Sequence, residues 1–96
     1  MSAGNEHSLK EAINELLKAY KLDGRLSEIR LINSWEKVMG KMIAKHTKDI
    51  FISKKKLFVQ LDSAALRQEL SYAKEKMVKM LNEEAGETVI DEIVLK

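Results

Sequence analysis

The chain has no cysteine, no proline and no long apolar run, and each absence removes a class of explanation. Without cysteine there is no disulfide framework, no thiolate nucleophile and no thiolate metal ligand, which suits a reducing compartment. Without proline nothing forces a break inside a helix, and no stretch makes a rigid linker. No segment approaches the roughly 18 consecutive apolar residues of a membrane span. The opening Met1 to Ser8 is polar, includes Glu6 and lacks the apolar core of a signal peptide. The expectation is a soluble, cytoplasmic protein with no membrane partner.

What is present is one domain's worth of chain. The 96 residues are 45% apolar, enough for a small core. Residues 1–7 read as a flexible arm and residues 8–96 as the single domain. Charge is placed rather than spread. From Lys37 to Lys56 seven lysines stand against one aspartate, a local +6 in a chain whose net charge is +2. From Asn82 to Lys96 five acids stand against one lysine, a local −4. A basic segment of this kind meets phosphates or an acidic partner, although composition alone is equally served by a solvated face.

The periodicities predict the order α-α-β-β-α-β. Ser8 caps a first helix, with Glu11 at the capping-box position. Its stripe is Leu9, Ile13, Leu16, Leu17 and Tyr20, Lys18 and Lys21 sit in its last turn, and Asp23-Gly24 ends it. A second helix is expected from Ser27 or Glu28 to about Ala44, with Leu31, Ile32, Trp35, Val38, Met39, Met42 and Ile43 apolar. Trp35, the only tryptophan, is its core anchor. Gly40 interrupts this helix at a cost of about 1 kcal/mol, allows a close approach, or marks a kink. Lys37, Lys41, Lys45 and Lys48 step by four, four and three, which is one helical face.

Two strands follow, Asp49 to Ser53 and Lys56 to Leu61, with Leu57, Val59 and Leu61 alternating against Phe58 and Gln60. A two-residue turn at Lys54-Lys55 sets Phe51 opposite Phe58, Ile50 opposite Val59 and Ile52 opposite Leu57. Lys-Lys is poor chemistry for that turn, so a longer loop stays open as the alternative. Asp62 or Ser63 caps a long helix reaching Glu84 or Ala85, with Leu66, Leu70, Ala73, Met77 and Leu81 in its stripe. Gly86 lies beyond its end. Thr88 to Leu95 reads as a last strand of open facing. The fold class is α+β, with a small three-stranded mixed sheet and helices packed on one face.

Three blocks carry a family resemblance. The first is Ile32-Asn33-Ser34-Trp35-Glu36-Lys37-Val38-Met39-Gly40 with Ile43-Ala44-Lys45-His46-Thr47. The second runs from Lys56 through Asp62-Ser63-Ala64-Ala65-Leu66-Arg67 to Leu70. The third is Leu81-Asn82, Gly86 and Val89-Ile90-Asp91-Glu92-Ile93. In this order they resemble the DciA-like family, also called domain of unknown function 721, in a short single-domain form. The resemblance implies a K-homology-like fold, contact with DNA and a role beside the replicative helicase. Better-known members often carry a further disordered segment that assists contact with the helicase, which a sequence ending at Lys96 is not expected to have. No two glycines stand three apart, so the Gly-x-x-Gly clamp of K-homology domains is not carried over.

The residues singled out for nucleic acid are Lys37, Lys41, Lys45, Lys48, Lys54, Lys55, Lys56 and Arg67. Lysines supply point charge with little sequence discrimination, so DNA, single-stranded DNA and RNA all remain open. Phe51 and Phe58 are a cross-strand structural pair, a stacking surface or an interface. The alternative is a protein-interaction module or homodimer whose lysines meet an acidic protein surface. No enzyme activity, cofactor or metal is expected. His7 and His46 have no metal-site spacing, capping accounts for Asp62 and Ser63, and no carboxylate pair, phosphate loop or triad is recognisable. The acidic Glu83, Glu84, Glu87, Asp91 and Glu92 balance the lysines or attract another copy head to tail.

Overall fold

A computed structural model describes residues 9–15 and 23–96 of the chain. The arm at residues 1–7, the Ser8 cap and the placement of Leu16, Leu17, Lys18, Tyr20 and Lys21 lie outside them. The two central strands are β1 (Thr47–Ser53) and β2 (Lys56–Leu61). They pair antiparallel, with Ile50 opposite Val59, Phe51 opposite Phe58 and Ile52 opposite Leu57. The longer loop is not used. Lys54 and Lys55 form the turn themselves, with φ of 52° and 63°. That left-handed pair matches the twist of the strands, which is why the hairpin tolerates it in residues with a Cβ. At the other end Thr47 faces Leu61 and Asp49 faces Gln60, leaving Lys48 as an extra, bulged residue. The first strand therefore starts two residues earlier than its alternation suggests.

β3 (Glu92–Leu95) adds parallel to β2, giving the sheet order β1-β2-β3. Its register sets Leu57 beside Ile93 and Val59 beside Leu95, so these four share one face. This decides the facing that the sequence left open. The expected strand from Thr88 is shorter because residues 88–90 are held as a loop. The Asn82 side chain donates to Ile90 O at 2.8 Å and accepts from Val89 N and Ile90 N at 2.9 and 3.1 Å.

The helices are α1 (residues 9–15), α2 (Asp23–Asn33), α3 (Trp35–Met39), α4 (Lys41–Lys45), α5 (Ala64–Ser71) and α6 (Lys74–Ala85). Several expectations change here. Asp23 and Gly24 open α2 instead of closing the first helix. The expected second helix is three pieces. At Ser34 the hydroxyl binds Leu31 O at 2.7 Å and the backbone tightens onto both Arg30 O and Leu31 O. At Gly40 the chain takes φ 96° and ψ 163°, a conformation other residues resist. A Cβ there would meet nothing within 4 Å, so Gly40 serves the break and not a close approach. The expected long helix breaks at Tyr72 and Ala73, whose N–H groups turn back to Glu69 and Leu70. Ser63 caps α5 through Leu66 N at 3.2 Å. Gly86, left-handed at φ 87°, closes α6.

The core lies between the helices and one sheet face. Leu31, Trp35, Leu57, Val59, Leu61, Leu70, Met77, Leu81, Ile90 and Ile93 are buried in it. Leu70, Met77 and Leu81 are three of the five residues assigned to the long-helix stripe. Met42 is 62% exposed, because the break at Gly40 turns α4 away from the direction of α3. Leu9 and Ile13 are also exposed, so the described part of the first stripe is not buried.

Candidate nucleic-acid interface

The basic segment begins on α3, crosses α4 and ends at the hairpin tip. Two contacts fix its middle. The buried Trp35 donates its indole N–H to Thr47 Oγ1 at 2.9 Å, and that hydroxyl donates to Ile43 O at 2.7 Å. One threonine thus ties α3, the end of α4 and the start of β1. Asp62 N then donates to His46 O at 3.0 Å, closing the base of the hairpin.

The break at Gly40 ends the expected single lysine face. Lys37 lies on α3, Lys41 and Lys45 on α4, and Lys48 on β1. Only Lys41 and Lys45 keep the four-residue helical spacing. Lys54, Lys55 and Lys56 sit at the far end of the hairpin. Six residues separate Lys48 from Lys54, which at strand rise is about 20 Å. The cations therefore form two groups, one at each end of β1.

Three of the lysines have carboxylate partners. Lys37 pairs with Glu84 of α6. Lys48 Nζ lies 3.2 Å from Asp62 Oδ2, and Lys56 Nζ lies 3.8 Å from Glu92 Oε2. All three lysines are largely exposed, and such pairs are weak and screened by salt. Lys41, Lys45, Lys54, Lys55 and Arg67 form no ion pair among the described residues. Arg67 is partly buried on α5.

Of the two capping candidates, Ser63 is the cap and capping does not account for Asp62. The Asp62 carboxylate instead meets His46 Nδ1 at 2.7 Å through Oδ1 and Lys48 through Oδ2. The hydrogen bond from His46, then that from Lys48, holds its carboxyl below the usual aspartate range. Thr47 and Asn82 were also missed as structural ties. Both stand inside the motif blocks, yet neither type announces a partner 12 or 8 residues away.

Phe51 and Phe58 stack, with centroids 4.9 Å apart and planes 11° from parallel. They lie on the sheet face opposite the core, and Phe51 is exposed. No group of three or more His, Cys, Asp or Glu side chains able to hold a metal occurs among the described residues. None of the described helices is long and apolar enough to cross a membrane.

Comparison with known proteins agrees with the residue blocks. A UPF0232 protein of Corynebacterium glutamicum (strain R) is 33% identical over 61 residues. The match covers 64% of this chain and 34% of that protein, so the chain spans about a third of the curated relative's length. No solved structure matches. Residues 8–95 match the family described as "Dna[CI] antecedent, DciA". That match takes in the tryptophan-to-glycine block, the capped helix after β2 and the Asn82 loop, and the chain belongs to the DciA family.

Proposed function

We propose that this protein is a cytoplasmic accessory factor that binds nucleic acid through its sugar-phosphate backbone, with little sequence preference, in DNA replication beside the replicative helicase. The observation that carries this is the set of cations that meet no carboxylate among the described residues: Lys41 and Lys45 on α4, and Lys54 and Lys55 at the hairpin tip. Four ammonium groups without local counter-charges attract phosphate, and released counterions supply the free energy. The weakly paired Lys37, Lys48 and Lys56 exchange a carboxylate for a phosphate at small cost. Family membership supports the replication context. We read the fold as K-homology-like, with phosphate contact falling to lysines in place of a Gly-x-x-Gly clamp.

The Lys48 and Lys54 ends of β1, about 20 Å apart, span roughly six B-form steps of a strand. The test is affinity for oligonucleotides measured against salt. The expected result is a log–log slope that flattens when Lys41, Lys45, Lys54 and Lys55 are replaced by glutamine. Oligonucleotides shorter than about six nucleotides should bind more weakly than longer ones, because they reach one group only. A protein that binds neither single- nor double-stranded DNA at low salt would refute the proposal.

A further inference from the structure

The open face of the sheet is more ordered than a chance surface. Its middle row is Phe51, Phe58 and Val94, set side by side by the two registers. The ring pair stacks across the strands at 4.9 Å. The Lys96 Nζ lies 5.2 Å from the Phe58 centroid. β2 lies between β1 and β3, so Lys96 and Phe51 approach Phe58 from opposite sides. The stack therefore runs from a cation through two rings and ends at Phe51, on an edge strand. Phe51 is 45% exposed, and among the described residues no further strand covers its outer side.

The charges beside this row are largely matched. Lys56 faces Glu92 across the strands, and the Asp49 carboxylate accepts the N–H of Ile50 at 3.0 Å. A near-neutral face with an aromatic end does not favour phosphate, but it favours the π-face of a base. Phosphate-binding charge is close at hand. Lys54 follows Phe51 by three residues, about 10 Å along the strand, and carries no ion pair among the described residues.

We propose that Phe51 is a base-stacking site: an unpaired nucleobase of a single strand continues the Phe58–Phe51 stack while Lys54 and Lys55 hold the adjoining phosphates. This rests on the nucleic-acid reading above and narrows it to single strands. A base in a duplex keeps both faces stacked on its neighbours and cannot serve. Every base has a π-face, so the site is indifferent to sequence, as the lysines are.

The experiment compares a thymidine 15-mer, the same 15-mer with abasic sugars, and a 15-base-pair duplex, with wild type, Phe51→Ala and Phe51→Trp. The expected result is tighter binding of the thymidine strand than of the abasic strand. Phe51→Ala should weaken the thymidine complex about tenfold, leave the abasic and duplex complexes unchanged, and be outdone by Phe51→Trp. Circular dichroism of each variant confirms the fold, and Phe51 is exposed enough for the alanine variant to keep it. Equal affinity of wild type and Phe51→Ala for thymidine would overturn the platform while leaving backbone capture by the lysines standing. So would equal affinity of wild type for thymidine and abasic strands. A homodimer abolished by Phe51→Ala, with thymidine affinity unchanged, would make this face a protein contact and also overturn it. Absence of binding to all three probes would remove the platform together with the reading beneath it.

Discussion

Trp35 and Thr47 are joined by a hydrogen bond of 2.9 Å from the indole N–H to the threonine hydroxyl, across the junction where helix becomes sheet. The same hydroxyl donates a hydrogen bond to Ile43 O. Thr47→Val keeps the shape and strands the indole N–H, while Ile43 O keeps the backbone N–H of His46 at 3.2 Å. The expected loss is about 1–3 kcal/mol of stability. In a Trp35→Phe background the indole donor is already gone, so the second substitution should cost less. Urea titrations of the four proteins in this cycle measure the difference.

Asp62 gives the hairpin base a pH dependence. Its folded pKa is depressed by hydrogen bonds from His46 and Lys48. A depressed carboxyl contributes stability above its unfolded pKa, near 3.9 for aspartate, and loses it as pH falls through the folded value. Asp62→Asn is therefore expected to be less stable than wild type at pH 7. The gap between the two should narrow as pH is lowered through and below about 4. Denaturation midpoints of both proteins between pH 2.5 and 7 on a grid of about half a unit give the comparison.

Gly40 and Gly24 predict opposite outcomes for one substitution. Neither would bring a Cβ within 4 Å of another group, so packing is not the issue. Gly40 sits at φ 96° and ψ 163°. Gly40→Ala is expected to cost about 1–3 kcal/mol from backbone strain alone. Gly24 lies in the first turn of α2, and Gly24→Ala is expected to be neutral or to stabilise by up to about 1 kcal/mol. Thermal melts of the two variants settle the sign of each.

The hairpin tip sets stability against binding. Lys54 and Lys55 occupy left-handed positions that Asn-Gly fills with less strain. The double variant Lys54→Asn with Lys55→Gly should gain about 1 kcal/mol or more of stability. It should also lose affinity for single-stranded DNA, with a salt slope shallower by about 1.4 for two lost phosphate contacts. Calorimetry and a salt series on one preparation read both. A gain in stability with unchanged affinity would place phosphate contact elsewhere.

The hairpin was legible in detail because strand alternation is a local signal. Ile50, Ile52, Leu57 and Val59 need one buried face, and the two-residue turn at Lys54-Lys55, one of the two turn lengths left open, satisfies all four. The helical stripes were legible as sets and not as continuous rods. Leu70, Met77 and Leu81 are in the core as expected, yet the helix that carries them bends at Tyr72. A 3.6-residue pattern survives a short break, since the residues after it resume facing the same sheet. The single lysine row does not hold, because the helix is interrupted at Gly40. Spacing places Lys37 with Lys41 only if the helix runs through Gly40, and the backbone there leaves the helical region.

Sequence by itself determined the class of fold, the alternation of the hairpin strands, the family and the concentration of charge between Lys37 and Lys56. These follow from period, composition and motif order, which act within a few residues. Tertiary structure alone decided which lysines keep free charge, because Glu84, Asp62 and Glu92 lie 47, 14 and 36 positions away from Lys37, Lys48 and Lys56. It also decided the facing of β3, whose two sides are similar in polarity until pairing beside β2 buries Ile93. Charge neutralisation and burial depend on what a residue meets across the fold, and distance along the chain does not encode that.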